Sequence, residues 1–235
     1  LFPCSLTRRE LRDIASAPHG PEATPYPPSL RPAELADGWL DDLLEDADPD
    51  ASVRLRVDEY EARWSDLLLG PQSERVDLAV GDFVLRRRDG IWAYQLAVVA
   101  DDIAMEIDEV VRGADLLHST GRQILLFEAL GGKVPRFGHV PLMTTLDGDK
   151  LSKRDASLEL RALRAASVAP ELLVGYLAHT LGLLDRPEGC QPADLIELFD
   201  WAALDPTPTA VPSDLAKRLL SGRLPSAPKT EENGR

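Results

Sequence analysis

The chain has 235 residues, 44% of them hydrophobic and 28% charged, with a formal net charge of −14. That length builds one large domain or two small ones, with ample apolar material for a core. The acidic balance argues against broad electrostatic binding of nucleic acid, and no apolar run reaches the roughly 18 residues a membrane span needs. Cys4 and Cys190, the two cysteines, lie too far apart to suggest a disulfide framework, and with no secretory signal at the start they point to a reducing cytoplasm.

Residues 1–50 combine the short helical stretch TRRELRDIAS, a proline-rich segment at 18–32 and the acidic run GWLDDLLEDADPD. Residues 51–107 read as β-rich. SVRLRV alternates, VDLAV follows, and DFVLRRR and IWAYQLAVV flank Asp89-Gly90, a strong hairpin signal. YQLAVVADD reads as a buried strand with acids at its end, so Tyr94 is expected in a strand. A short apolar strand then ends in Arg112-Gly113. A helix follows, with Thr120 as N-cap and Ile124, Leu125, Phe127 and Leu130 as its apolar positions. A β segment is expected over 137–143. The Asp147-Gly148 turn then delivers Lys150, Ser152, Lys153 and Arg154 on a loop. Beyond residue 155, LELRALRAA, PELLVGYLAHTLGLL, PADLIELFDWAAL and PSDLAKRLLSG predict helices, with Pro170 and Pro192 near two starts and Gly222 ending the last. The tail 223–235 is polar and is predicted to be disordered.

Acids concentrate at 41–50 and 101–109, whereas Arg86–Arg88 and Lys150–Arg154 are local basic clusters. With a Debye length of about 8 Å at physiological salt, such a cluster can still hold phosphate. An arginine at a strand end can pair bidentately with a carboxylate. A lysine on a loop can approach a phosphate as charge develops on it. Lone His139, in FGHVPL, reads as structural, and Asp101 and Asp102 read as turn caps.

KLSKR at Lys150–Arg154 resembles the KMSKS signature of class I aminoacyl-tRNA synthetases, and RRRDGIWAYQLAVVADD and VVRGADLLHSTGRQ are similar to its glutamate branch. RGADLL, in place of RGEDH, resembles the short glutamyl-queuosine tRNA(Asp) synthetase family. The fold this implies is α/β: the second half of a class I Rossmann-like fold, with an inserted connective region and a C-terminal helical module. The boundaries expected are 1–70 for the connective region, 71–154 for the nucleotide-binding half with its KLSKR loop, and 155–222 for a tRNA-contacting helical module.

By the same resemblance, Lys153 is the catalytic residue and stabilises charge on the α-phosphate. Lys150, Leu151, Ser152, Lys153 and Arg154 bind ATP, and Tyr94 and Arg112 bind L-glutamate. Magnesium arrives with ATP. The partner implied is queuosine-bearing tRNA(Asp), met by a cytoplasmic monomer that needs no membrane. Family members carry zinc on Cys-x-Cys and Tyr-x-x-x-Cys. Here Cys4-Ser5-Leu6 and Tyr26-Pro27-Pro28-Ser29-Leu30 retain one cysteine and the tyrosine, so no metal is expected and apolar packing takes its place. No HIGH signature occurs in the 235 residues; the resemblance therefore predicts a fragment that is inert alone. The rival readings are a truncated glutamyl-tRNA synthetase charging tRNA(Glu) and a non-catalytic tRNA-binding remnant.

Overall fold

The computed structural model describes residues 1–7, 10, 26–32, 51–149, 151 and 159–225. Among them the strands are β1 (Phe2–Cys4), β2 (Ser52–Leu55), β3 (Glu61–Asp66), β4 (Gly70–Arg75), β5 (Phe83–Arg86), β6 (Glu109–Gly113), β7 (Arg136–Val140), β8 (Met143–Thr144) and β9 (Thr209–Ala210). The helices are α1 (Val76–Ala79), α2 (Tyr94–Ala104), α3 (Thr120–Ala129), α4 (Leu160–Ala165), α5 (Pro170–Thr180) and α6 (Leu215–Leu220). Most of TRRELRDIAS, the proline-rich segment and the acidic run fall outside the described residues. The chain forms two units: Leu1–Ser65, Pro71–Val110 and His118–Arg136 in the first, and Asp66–Gly70, Val111–Leu117 and Phe137–Arg235 in the second.

In the first unit β1, β2 and β5 make an antiparallel sheet in that order. The alternation expected of SVRLRV is absent, because Ser52, Val53 and Arg54 are all buried. Arg54 is tolerated inside because its guanidinium lies 4.6 Å from the centre of the Tyr26 ring and Nη1 donates to the Asp82 carbonyl at 2.9 Å. A register shift between Val53 and Arg54 accommodates it. The Asp89-Gly90 turn forms as expected, with Gly90 at φ 80° and Arg86 bridging antiparallel to Trp92. Two β expectations fail. VDLAV contributes the short helix α1, and YQLAVVADD is the helix α2, so Tyr94 begins a helix and Asp101 and Asp102 lie on it. A short continuous apolar run fits either state, and here packing of α2 against α3 decides for helix.

In α3 the cap position is Ser119, one residue earlier than expected, and the buried apolar residues are Ile124, Leu126 and Phe127. Leu125 is only half-buried and Leu130 is exposed.

In the second unit, the end of β3 pairs in parallel with β7 at Asp66 and Phe137, and β8 pairs in parallel with β9. Leu163, Tyr176, Val211, Leu215 and Leu219 make the core shared by α4, α5 and α6. Pro170 opens α5, where its missing N–H costs nothing, and Gly222 ends α6 at φ 68°. PADLIELFDWAAL does not form the expected helix. It folds as two 3-10 turns, Pro192–Leu195 and Trp201–Ala203. The Asp200 side chain accepts the Ala202 N–H and breaks the run, and Pro206 and Pro208 bring extended chain into β9 immediately afterwards.

Candidate active site

Asp66 ends β3, and its side chain is fully buried. Oδ1 accepts the backbone N–H groups of Leu68 and Leu69, each at 3.0 Å, and of His139 at 3.2 Å. Oδ2 faces His139 Nδ1 at 2.5 Å. His139, also fully buried, is stacked on Phe137, with ring centroids 6.3 Å apart. Its other nitrogen, Nε2, receives Arg112 Nε at 3.0 Å. The Arg112 guanidinium stands 5.3 Å from the centroid of the Phe137 ring. Three residues far apart in sequence thus form one line: carboxylate, imidazole, guanidinium.

The electrostatics agree with the geometry. Burial holds His139 below the usual histidine value, outweighing the opposing pull of Asp66, and the Arg112 charge acts in the same direction as burial. For Asp66, burial raises the carboxyl, but the hydrogen bonds from His139, Leu69, Leu68 and the His139 backbone together hold it below the usual range. The pair is therefore neutral imidazole and carboxylate. An arginine Nε–H only donates, so Nε2 is the acceptor and the ring proton sits on Nδ1, donated to Asp66.

Arg112 stands at the end of β6, half-buried, as the sequence predicts. The glycine after it has a physical reason. A Cβ on Gly113 would meet the Asp115 carboxylate oxygen at 2.5 Å and Leu142 Cδ2 at 3.3 Å. Tyr94 lies in the first unit, at the first turn of α2, 65% exposed, and Arg112 lies in the second. Lys150, Ser152, Lys153 and Arg154 lie outside the described residues. Leu151 is described: its N–H donates to the Met143 carbonyl at 3.3 Å, and its side chain packs against the core of α4, α5 and α6. The Asp147-Gly148 turn before it forms, with Gly148 at φ 87°. Sequence reasoning did not single out Asp66, and it read His139 as structural. No local signal marks the pair, because the two lie 73 positions apart.

The four positions at which the resemblance calls for zinc ligands are Cys4, Leu6, Tyr26 and Leu30, and they meet in one apolar cluster with Phe2. Cys4 Sγ donates to the Tyr26 hydroxyl at 3.8 Å, and that hydroxyl donates to the Leu30 carbonyl at 3.1 Å. Burial, helped by Cys4, pushes the Tyr26 phenol up to about 12, so it stays un-ionised at neutral pH. One thiol, one neutral phenol and two leucines do not fit zinc, which wants four ionised or imidazole donors. Among the described residues no group of three or more His, Cys, Asp or Glu is placed to hold a metal, and no helix is long and apolar enough to cross a membrane.

Residues 41–208 match the family described as tRNA synthetases class I (E and Q), catalytic domain. The chain is 43% identical over 231 residues to the glutamyl-Q tRNA(Asp) synthetase of Symbiobacterium thermophilum, covering 94% of this chain and 68% of that protein. It is 42% identical over 223 residues to the protein of the same name from Nitratidesulfovibrio vulgaris, again covering 94% and 68%. Among solved structures it is similar to a glutamate tRNA ligase from Elizabethkingia meningosepticum in complex with its amino acid. There the TM-score is 0.63 at 26% identity, over 76% of this chain and 39% of that one. The chain therefore spans about two thirds of the curated relatives and well under half of that ligase.

Proposed function

The chain belongs to the class I aminoacyl-tRNA synthetases of the glutamate and glutamine branch, within the glutamyl-Q tRNA(Asp) synthetase family of ligases, and from that premise we propose that it serves glutamate activation by ATP and transfer of the glutamyl group to queuosine in tRNA(Asp). The observation that carries this reading is Arg112, a cation at a strand end in the RGADLL motif, with its guanidinium gripped by His139 and Phe137. A guanidinium so held suits a planar carboxylate, which it binds through two parallel N–H bonds. Tyr94, exposed at the start of α2, supplies a phenol for the same amino acid.

The remaining roles follow from motif and charge. Activation joins the glutamate carboxylate to the α-phosphate of ATP and expels pyrophosphate. Negative charge grows on the phosphate oxygens as it does so. By the KLSKR motif Lys153 meets that charge, and Lys150, Leu151, Ser152 and Arg154 bind the nucleotide with it. Removal of a donor that acts in the transition state costs about 2.7–4 kcal/mol, a hundred- to a thousandfold in rate. Magnesium comes with ATP as part of the substrate. The family resemblance and the free thiols Cys4 and Cys190 suit a cytoplasmic setting.

The test is ATP–pyrophosphate exchange by the native protein with L-glutamate and no tRNA. Exchange that needs glutamate but not tRNA is the expected result. Exchange that appears only when tRNA(Glu) is added would assign the protein to ordinary glutamyl-tRNA synthesis instead.

A further inference from the structure

The Asp66–His139 pair has a use beyond holding β3 beside β7. A buried histidine of this kind has two tautomers, and only one is compatible with Arg112. With the proton on Nδ1, the ring donates to Asp66 Oδ2 and offers a lone pair at Nε2 to the Arg112 Nε–H, 3.0 Å away. With the proton on Nε2, or on both nitrogens, an N–H would point at another N–H, beside a guanidinium that is always charged. Asp66 settles the choice, because a carboxylate can only accept. Its own position is set by three backbone N–H groups on Oδ1, so the orientation is passed from main chain to Asp66, to His139, to Arg112.

The contact with His139 is made through Nε, the nitrogen nearest the stem. With Nε engaged by His139, the side-on mode through Nε and Nη2 is closed, the end-on mode through Nη1 and Nη2 is the bidentate geometry that remains for a carboxylate, and the hold at Nε sets the direction of that edge. Phe137 fixes the plane of the group from its face. An arginine side chain is rich in rotamers, and fixing it before binding removes that entropy cost from the binding step.

We propose that Asp66 and His139 are positioning residues for glutamate: Asp66 locks His139 in the Nδ1–H tautomer, and the lone pair at Nε2 aims Arg112 at the substrate carboxylate. This rests on the reading of Arg112 as the carboxylate ligand. Among the described residues, Asp66, Arg112 and Asp115 act electrostatically on His139, and Phe137 stacks against its ring.

The informative variant is D66N. The asparagine oxygen keeps the backbone N–H groups of Leu68, Leu69 and His139, while its amide nitrogen turns toward His139 Nδ1 and forces the opposite tautomer. The logic matches the change of a buried triad aspartate to asparagine, which leaves geometry intact and selects the wrong tautomer. In the native protein, D66N should raise KM for glutamate by about ten- to a hundredfold with kcat little changed, as loss of uniform binding requires. KM for ATP should stay as it was. H139Q, which still presents an acceptor to Arg112 Nε, should keep glutamate affinity far better than H139L, which presents none. In the H139Q background D66N should cost little, because an amide can turn over. Long-range 1H–15N NMR of the ring nitrogens, assigned by the signal lost in H139Q, should show the Nδ1–H form in wild type and the Nε2–H form in D66N.

The two levels fail differently. If R112Q leaves KM for glutamate unchanged, the reading of Arg112 falls and the positioning role falls with it. If R112Q abolishes glutamate use while H139L matches H139Q, or wild type carries its proton on Nε2, the positioning role alone is overturned. Should D66N not fold, the H139Q and H139L pair together with the wild-type tautomer decides.

Discussion

Removing the Asp82 carboxylate should cost far more than removing any surface ion pair of this chain. Asp82 is fully buried in its side chain and accepts two bonds from Arg31, Nε to Oδ2 and Nη2 to Oδ1, each at 2.7 Å. Oδ1 also accepts the buried Val57 N–H at 2.8 Å. In Asp82→Ala the Arg31 charge loses its bidentate partner and the Val57 N–H loses its carboxylate acceptor. Breaking a buried pair from one side costs about 3–5 kcal/mol. Arg31 retains 17% exposure and keeps Asp58 and the Val57 carbonyl, so the lower end applies, about 3 kcal/mol. For a chain of this size that is a drop of about 6–12 °C in Tm. Urea unfolding followed by circular dichroism measures it. Asp82→Asn, which keeps an oxygen for Val57, should fall between wild type and alanine. Glu61→Ala, which removes the exposed partner of Arg63, is the control and should change stability by under about 0.5 kcal/mol. An Asp82→Ala loss under about 1 kcal/mol would refute the reasoning, because the pair would then be behaving as a surface pair.

Three further outcomes are expected. Gly138 lies in β7 with the Trp201 ring where a Cβ would go, at 2.5–3.1 Å; Gly138→Ala should therefore destabilise by about 1–3 kcal/mol in urea melts and raise KM for glutamate, since Phe137 and His139 flank it. Unfolded His139 takes up a proton near its ordinary value of about 6.5 whereas the folded ring, held below that, does not, so stability should fall as pH drops below about 6.5. Asp66, held low when folded, adds a second loss below about 3.9, and melts from pH 7 to 5 should show the first loss shrink in H139Q. Prolonged chelation should leave Tm unchanged, because Cys4, Leu6, Tyr26 and Leu30 hold their segment by packing; a fall on chelation that zinc restores would contradict this.

What the sequence discloses divides by range. The Asp89-Gly90 and Asp147-Gly148 turns, the Arg112-Gly113 strand end and the proline start of α5 are local chemistry, and each forms where expected. Tyr94 shows the limit of periodicity. The run Leu96–Ala100 suits a strand or a helix, and the decision belongs to α3, which no local pattern reveals. Residues 192–204 show the opposite error, a helical spacing undone by prolines downstream and by Asp200. Arg54 broke an expected alternation because a ring and a carbonyl awaited it. The site was legible at Arg112 through its motif and illegible at Asp66 and His139, since a tautomer lock exists only when the chain has folded.

The central claim is tested most directly by transfer of labelled L-glutamate to purified tRNA(Asp), with and without queuosine, by the native protein in the presence of ATP. The account predicts label on queuosine-bearing tRNA(Asp), none on the same tRNA lacking queuosine, and loss of transfer in R112Q. Label that goes instead to tRNA(Glu), or tRNA(Asp) bound without any transfer, would contradict it.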